Sequence, residues 1–330
     1  MSRPKVYVPN AIPEEAYRIL AEHCDIRYRD TEDPVPDDEV LAGVRDADGL
    51  VIYSRVKVNQ AVLDAAPRLR VVSNIAVGYD NLDIPALTRR GVVATNTPGV
   101  LTETTADLAF ALLMAIARRV VEADRYVKSG QWDGWRPSLM VGRDVYGATI
   151  GIVGMGRIGQ AVARRARGFD MRILYHNRSR NPQAEAALGA EYKPLDDLLR
   201  EADFVVLLTP LTPETTRLIG ARELALMKPD AYLINAARGA VVDEAALIEA
   251  LREGRIAGAA LDVYEQEPVA LDNPLLQMDN VVTLPHIGSA TKATRIAMAV
   301  TAARNMVAAL AGEVPPNAVN PEAIRPKAQD

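Results

Sequence analysis

The chain has 330 residues, 49% hydrophobic and 25% charged, an ordinary globular composition with room for a large core. Its 38 basic and 43 acidic residues leave a formal net charge of −5, which counts against a nucleic-acid binder. The single Cys24 excludes an intrachain disulfide and a cysteine metal cluster, and no apolar stretch reaches the ~18 residues of a membrane helix.

The opening MSRPKVYVPN passes into a strand pattern instead of a signal peptide's apolar core, so a cytoplasmic protein of about two domains is expected. Short apolar runs then alternate with helical periodicity, the signature of parallel α/β sheets. The runs KVYVP, DIRYR, GLVIY, RVVSNI and VVATN form a first series, interleaved with patterns such as PEEAYRILAEH and DDEVLAGVRDA. TETTADLAFALLMAIARRV predicts one long apolar helix beginning near Leu101, and the irregular SGQWDGWRPSLMVGRD follows it. A second series opens at GATIGIVG and continues through MRILYHN, DFVVLLTP, AYLINAA, AGAALDV and NVVTLPH. A helical pattern over about 290–312 and an extended or loose tail, PPNAVNPEAIRPKAQD, close the chain. The expectation is an α/β protein of two parallel, doubly wound domains joined by two long helices. One is discontinuous, 1–98 with 290–330, and the other is 99–289.

GMGRIG, residues 154–159, lies directly between the strand pattern TIGIV and the helix pattern RIGQAVARRARGF. A lone GxGxxG is weak, but strand–turn–helix context makes it a dinucleotide-binding signal. Gly154 permits the tight turn, Gly156 lets the backbone approach a pyrophosphate, and Gly159 lets helix and strand pack closely. The helix start then offers free N–H groups to phosphate. Three further segments end strand patterns: INAARGAVVDE (234–244), LDVYEQEP (261–268) and LPHIGSAT (284–291). Taken singly, Arg238 reads as a surface ion-pairing residue and Glu267 as solvated surface. His286 is one of three histidines; His23 reads as an ordinary helix-end residue, and His176 as a residue that could line the adenosine side.

GMGRIG, NAARG, DVYEQEP and PHIGSAT in this order resemble the D-isomer-specific 2-hydroxyacid dehydrogenase family, and within it the glyoxylate/hydroxypyruvate reductase branch. The resemblance runs over nearly the whole length and includes NIAVGYDNLD (74–83). It implies a flavodoxin-like substrate domain, a Rossmann domain for NAD(P), and no metal. Arg238 would hold the substrate's carboxylate and carbonyl, which its rigid fork of donors suits. His286 would protonate the carbonyl oxygen, and Glu267 would orient its imidazole and favour the charged form. The backbone amides of Val77 and Gly78 would bind the carboxylate, and Asp262 would face the nicotinamide carboxamide. Met155, Arg157, Ile158, Thr209, Pro210, Ala236, Ala237, Arg238, His286 and Gly288 would complete the cofactor contacts. GWRP resembles a segment that reaches toward a partner subunit, so a homodimer is implied. Glu267 differs from the glutamine of formate dehydrogenases, and Val77 from the lysine of phosphite dehydrogenases. The substrate class implied is a small 2-oxo or 2-hydroxy acid. A short phosphoglycerate dehydrogenase, and a nucleotide-sensing corepressor or scaffold on the same fold, remain as alternative readings.

The strand pattern MRILYHN ends in Asn177, Arg178, Ser179 and Arg180, where NAD-binding units place a carboxylate. From Gly159 to Asn177 is 177 − 159 = 18 positions, close to the ~20 at which that acid receives the ribose 2′-OH. Asn177 removes the repulsion of a 2′-phosphate, while Arg178 and Arg180 add cationic donors and Ser179 a hydroxyl. NADP(H) in preference to NAD(H) is therefore expected.

Overall fold

Five apolar runs form β1 (Lys5–Val8), β2 (Asp25–Tyr28), β3 (Gly49–Ile52), β4 (Val71–Asn74) and β5 (Val93–Thr95) in the computed structural model, which describes residues 3–324. They make a parallel sheet in the order β2-β1-β3-β4-β5, the flavodoxin-like arrangement. β3 and β4 are buried at every position, as continuous apolar strands must be when both faces are covered. The helix Lys292–Leu310 packs on this sheet. Gly49 makes room for it: a Cβ there would come within 2.5 Å of the Met306 sulfur. The tail expected to be extended or loose is held in place as far as Ile324. Asn320 is buried and accepts from the Ala94 amide at 2.7 Å, while its own amide donates to the Val92 carbonyl at 3.0 Å. The remainder of that tail lies outside the described residues.

The second sheet holds β6 (Thr149–Val153), β7 (Arg172–His176), β8 (Glu191–Tyr192), β9 (Phe204–Leu207), β10 (Tyr232–Asn235), β11 (Gly258–Leu261) and β12 (Val281–Thr283). All seven are parallel, in the order β12-β11-β10-β9-β6-β7-β8. The order reverses between β6 and β9, the switch point where open α/β sheets bind dinucleotides. Tyr175 and Phe204 are fully buried here, and each such aromatic stabilises the fold by roughly 1.5–3 kcal/mol. Contacts divide the chain into two compact units, Met1–Leu101 with Ala290–Asp330 and Thr102–Ser289.

Two elements differ from expectation. β8 is only two residues long and carries no apolar run to announce it. The stretch expected as one helix, residues 102–120, is helical over Thr102–Ala117 only, and a second helix that was not expected, Val120–Lys128, follows Arg119, which lies in the left-handed region at φ 52°. The break has a tertiary cause. The Arg143 amide takes the Ala117 carbonyl at 2.8 Å, and the Arg119 guanidinium closes a two-pronged pair with Glu122 at 2.6 and 2.8 Å. Among the described residues no helix is long and apolar enough to cross a membrane.

Candidate active site

The glycine-rich turn leaves β6 at Gly154, whose φ of 108° suits only glycine. A Cβ there would also sit 2.7 Å from the Leu208 carbonyl carbon and 2.8 Å from the Thr209 nitrogen. At Gly159 a Cβ would lie 2.2 Å from the Gly154 carbonyl oxygen, so the helix Arg157–Arg167 begins hard against the turn. Gly156 is different. It caps that helix without a side-chain hydrogen bond, and the space where its Cβ would stand is empty to 4 Å. Unfilled amides and an open approach fit a phosphate. Nearby, the buried Thr209 hydroxyl has no partner among the described residues, an orphan that a bound nucleotide would satisfy. The residues present therefore fit a dinucleotide.

The segment after β7 is ordered by side-chain ties. Asn177 Oδ1 accepts the Met155 amide at 2.7 Å, bolting the strand end to the turn. The His176 ring donates Nδ1–H to the Lys193 carbonyl at 3.0 Å and stacks on Tyr192. Arg180 is held in place: its Nη2 pairs with Glu185 Oε2 at 2.6 Å, and its guanidinium lies over the Tyr192 ring. Glu185 in turn accepts the Tyr175 hydroxyl at 2.6 Å, and that hydroxyl accepts the Asn181 amide. The hydrogen bonds from Arg180 and Tyr175 hold the Glu185 carboxyl below the usual range. Arg178, Ser179 and Arg180 are all exposed, and of the two arginines only Arg180 has a carboxylate partner among the described residues, Glu185. The Thr212 hydroxyl and the Glu214 amide, with a smaller contribution from the Arg178 charge, hold the Glu214 carboxyl below the usual range, so Arg178 lies within electrostatic reach of the loop after β9. The two arginines, equivalent in sequence, thus have different surroundings.

Arg238, Glu267 and His286 come from three strand ends of one sheet. The segment after β10 is set by buried Asn235, whose side chain donates to the Arg238 carbonyl at 3.0 Å and accepts the Ala237 amide at 3.1 Å. Gly239 lies flat against the Tyr264–Glu265 peptide, where a Cβ would come within 1.8 Å of the Tyr264 carbonyl carbon. This close approach brings Arg238 near the loop that carries Glu267. Both Glu267 oxygens are engaged: Oε1 accepts the Tyr264 amide at 3.2 Å, and Oε2 meets His286 Nδ1 at 2.7 Å. Burial pushes the Glu267 carboxyl up. The hydrogen bond and charge of His286, the Tyr264 amide and the Arg238 charge outweigh it and hold the group below the usual range. The lowered value keeps Glu267 ionised across neutrality, and its support for the pair is lost only as pH falls through that lowered value. With Nδ1 so engaged, Nε2 is the nitrogen that can pass a proton to a ligand, and the side chain is 38% exposed.

Asp262 does more for this histidine than its position in sequence announces. Only 2% exposed, it accepts the Ile287 amide at 2.7 Å and the Gly288 amide at 2.8 Å, while its carbonyl takes the His286 amide at 2.9 Å. These bonds hold His286 at φ 56°, a costly conformation for a non-glycine residue. Burial raises the Asp262 carboxyl despite the two amides and the His286 charge. Sequence reading also missed Asn235 and Tyr264, whose hydroxyl donates to the Leu284 carbonyl at 3.0 Å. An asparagine closing an apolar strand was the available signal for the first.

In the other unit, the loop after β4 is built from asparagines. Asn96 donates to the Val77 carbonyl at 2.8 Å, and Asn74 to the Gly78 carbonyl at 3.0 Å. The Val77 and Gly78 amides have no partner among the described residues. Described His, Cys, Asp and Glu residues form no group able to hold a metal.

Residues 110–288 match the family model "D-isomer specific 2-hydroxyacid dehydrogenase, NAD binding domain". With the relatives below, this places the chain in the D-isomer specific 2-hydroxyacid dehydrogenase family. It is 54% identical to the glyoxylate reductase of Thermococcus gammatolerans and 55% identical to that of Thermococcus kodakarensis, in each case over 98% of both chains. Among solved structures, a Thermus thermophilus protein superposes with a TM-score of 0.90 at 46% identity, covering 96% of this chain and 99% of that one. The NADPH-dependent glyoxylate/hydroxypyruvate reductase of Sinorhizobium meliloti, solved with NADP and malonate, gives 0.86 at 36% identity and covers 99% and 100%.

Proposed function

We propose that the chain reduces glyoxylate to glycolate, and hydroxypyruvate to D-glycerate, using a nicotinamide dinucleotide with NADPH preferred. The observation that carries this reading is the 2.7 Å contact between Glu267 Oε2 and His286 Nδ1, close to Arg238 and on the same sheet as the phosphate-ready turn. A reduced nicotinamide, when bound, supplies the hydride. Arg238 offers a planar fork to the carboxylate and carbonyl of a 2-oxo acid. The His286 imidazolium gives its Nε2 proton to the carbonyl oxygen, which becomes the product hydroxyl, and Glu267 stabilises the charged ring until the proton leaves. The Val77 and Gly78 amides are donors of the kind a substrate carboxylate takes. Gly154, Met155, Gly156, Arg157, Ile158 and Gly159 would hold the pyrophosphate. Thr209, Pro210, Ala236, Ala237, Asp262 and Gly288 would line the rest of the cofactor. Glu267→Gln keeps the shape of the pair but removes the negative charge that favours the imidazolium. The basic limb of the reduction pH profile is expected to move to lower pH, and an unmoved limb would uncouple the two residues.

NADPH is expected to exceed NADH by at least ~10-fold in kcat/KM, about 1.4 kcal/mol. Exposed Arg178 and Ser179 support this reading. The double variant Arg178→Ala, Arg180→Ala is expected to lose most of the preference with NADH kinetics little changed. Of the single variants, Arg178→Ala should account for the larger share, because Arg180 is committed to Glu185. Equal use of both cofactors by the wild type, or a double variant that still prefers NADPH, would contradict the assignment. A homodimer is part of the same proposal: Trp132 and Trp135 are 56% and 81% exposed, and light scattering in solution tests it.

A further inference from the structure

Glu244, the first residue of the helix Glu244–Arg252, lies outside the three strand-end residues to which the chemistry is assigned. Its carboxylate nevertheless reaches across to the loop that carries Glu267. Oε2 accepts the Glu265 amide at 3.2 Å, and Oε1 accepts the Asn273 side-chain amide at 2.7 Å. Those two donors flank Glu267 on either side, so one carboxylate bridges the loop around it. Asn273 is itself fixed, since its Oδ1 accepts the Leu275 amide at 3.0 Å where the next helical turn begins.

The other end of the tie is equally defined. Glu244 follows Arg238 by 244 − 238 = 6 positions, through a single 3₁₀ turn, Gly239–Val241. Gly239 is the residue pressed against the Tyr264–Glu265 peptide. The segment that carries Arg238 therefore grips the Glu267 loop twice, by backbone packing at Gly239 and by hydrogen bonds at Glu244. Arg217 stands 3.7 Å from Glu265 and 4.0 Å from Asp243, relieving the crowding of acids at this corner.

We infer that Glu244 is a positioning residue that sets the placement of Glu267, and through it of the His286 ring, relative to Arg238; the inference rests on the function proposed above. A catalytic group displaced by about 1 Å can cost as much as ~10²-fold in rate. Loss of one loop tie, with Gly239 still packed, is expected to cost about 10-fold.

The test combines kinetics with an NMR signature of the protein alone. Glu244→Ala is expected to lower kcat for glyoxylate by about 10-fold while KM changes less than about 3-fold. It should also weaken the low-field Nδ1–H resonance of His286, identified by its disappearance in His286→Gln. Glu244→Gln places an NH2 donor against one of the two donors and should behave like the alanine variant. Adding Asn273→Asp restores the match, because the new carboxylate can accept from the glutamine, so the paired exchange should recover both kcat and the resonance. Wild-type kcat and an intact resonance in Glu244→Ala would overturn the inference. So would a paired exchange no better than Glu244→Gln alone, which would leave Glu244 with a stability role only. If the wild-type chain proves inert toward 2-oxo acids, the proposed function fails, and the resonance still decides whether Glu244 holds the pair.

Discussion

Replacing His286 by alanine is expected to lower kcat for glyoxylate reduction by at least ~100-fold, the usual scale for a positioned acid. The expectation rests on the way the ring is presented. Its backbone is held in the left-handed region by three hydrogen bonds to Asp262, and its Nδ1 is taken by Glu267. A side chain fixed at backbone and ring has one free nitrogen and one direction in which to use it. The loss should fall on kcat more than on KM, because the proton is needed as the carbonyl is reduced and not when the acid binds. Steady-state rates of a variant that retains the wild-type melting temperature check this. Near-normal kcat in such a variant would remove His286 from the chemistry.

The second large effect is expected at Arg238. Arg238→Lys keeps the positive charge but loses the planar fork, so it should not rescue activity, and a fall of about 100-fold in kcat/KM is expected, about 2.7 kcal/mol. The surroundings sharpen this. The Arg238 backbone is pinned by Asn235, and its charge helps hold the Glu267 carboxyl below the usual range. A lysine would supply that charge on a flexible stem, so the carboxylate–histidine pair should survive while the two-pronged grip on a 2-oxo acid is lost. Wild-type kcat/KM in the lysine variant would contradict a bidentate role. A loss confined to the pH profile would assign Arg238 to the pair instead of the substrate.

Much of the fold was legible because parallel strands covered on both faces read as unbroken apolar runs. TIGIV, DFVVLL and NVVTL needed no tertiary information, and the glycines between TIGIV and its helix marked the turn. What escaped was decided at a distance. The helix ends at Ala117 because the Arg143 amide, 143 − 117 = 26 positions later, takes its carbonyl. β8 exists because Glu191 and Tyr192 pair with β7, although two residues carry no period of their own.

The site divides in the same way. Arg238, Glu267 and His286 were named through ordered motifs, but the residues that hold them were not. Asp262 is remote in sequence from the amides it receives, and nothing in DVYEQEP announces that the Tyr264 amide and the His286 ring occupy the two Glu267 oxygens. The arginines of HNRSR carry equal weight on paper. Glu185 and Tyr192 separate them, and only the pairing Arg180–Glu185, five positions apart, had a signal near enough in the chain to be noticed.

The most direct measurement is a steady-state panel of glyoxylate, hydroxypyruvate, pyruvate and 3-phosphohydroxypyruvate, each with NADPH and with NADH. The expected result is highest kcat/KM for glyoxylate and hydroxypyruvate, at least ~10-fold above 3-phosphohydroxypyruvate, a difference of about 1.4 kcal/mol. NADPH should be the better reductant throughout. Preference for 3-phosphohydroxypyruvate would make the chain a short phosphoglycerate dehydrogenase, and absence of turnover with all four acids would contradict a reductase that acts through Arg238, Glu267 and His286.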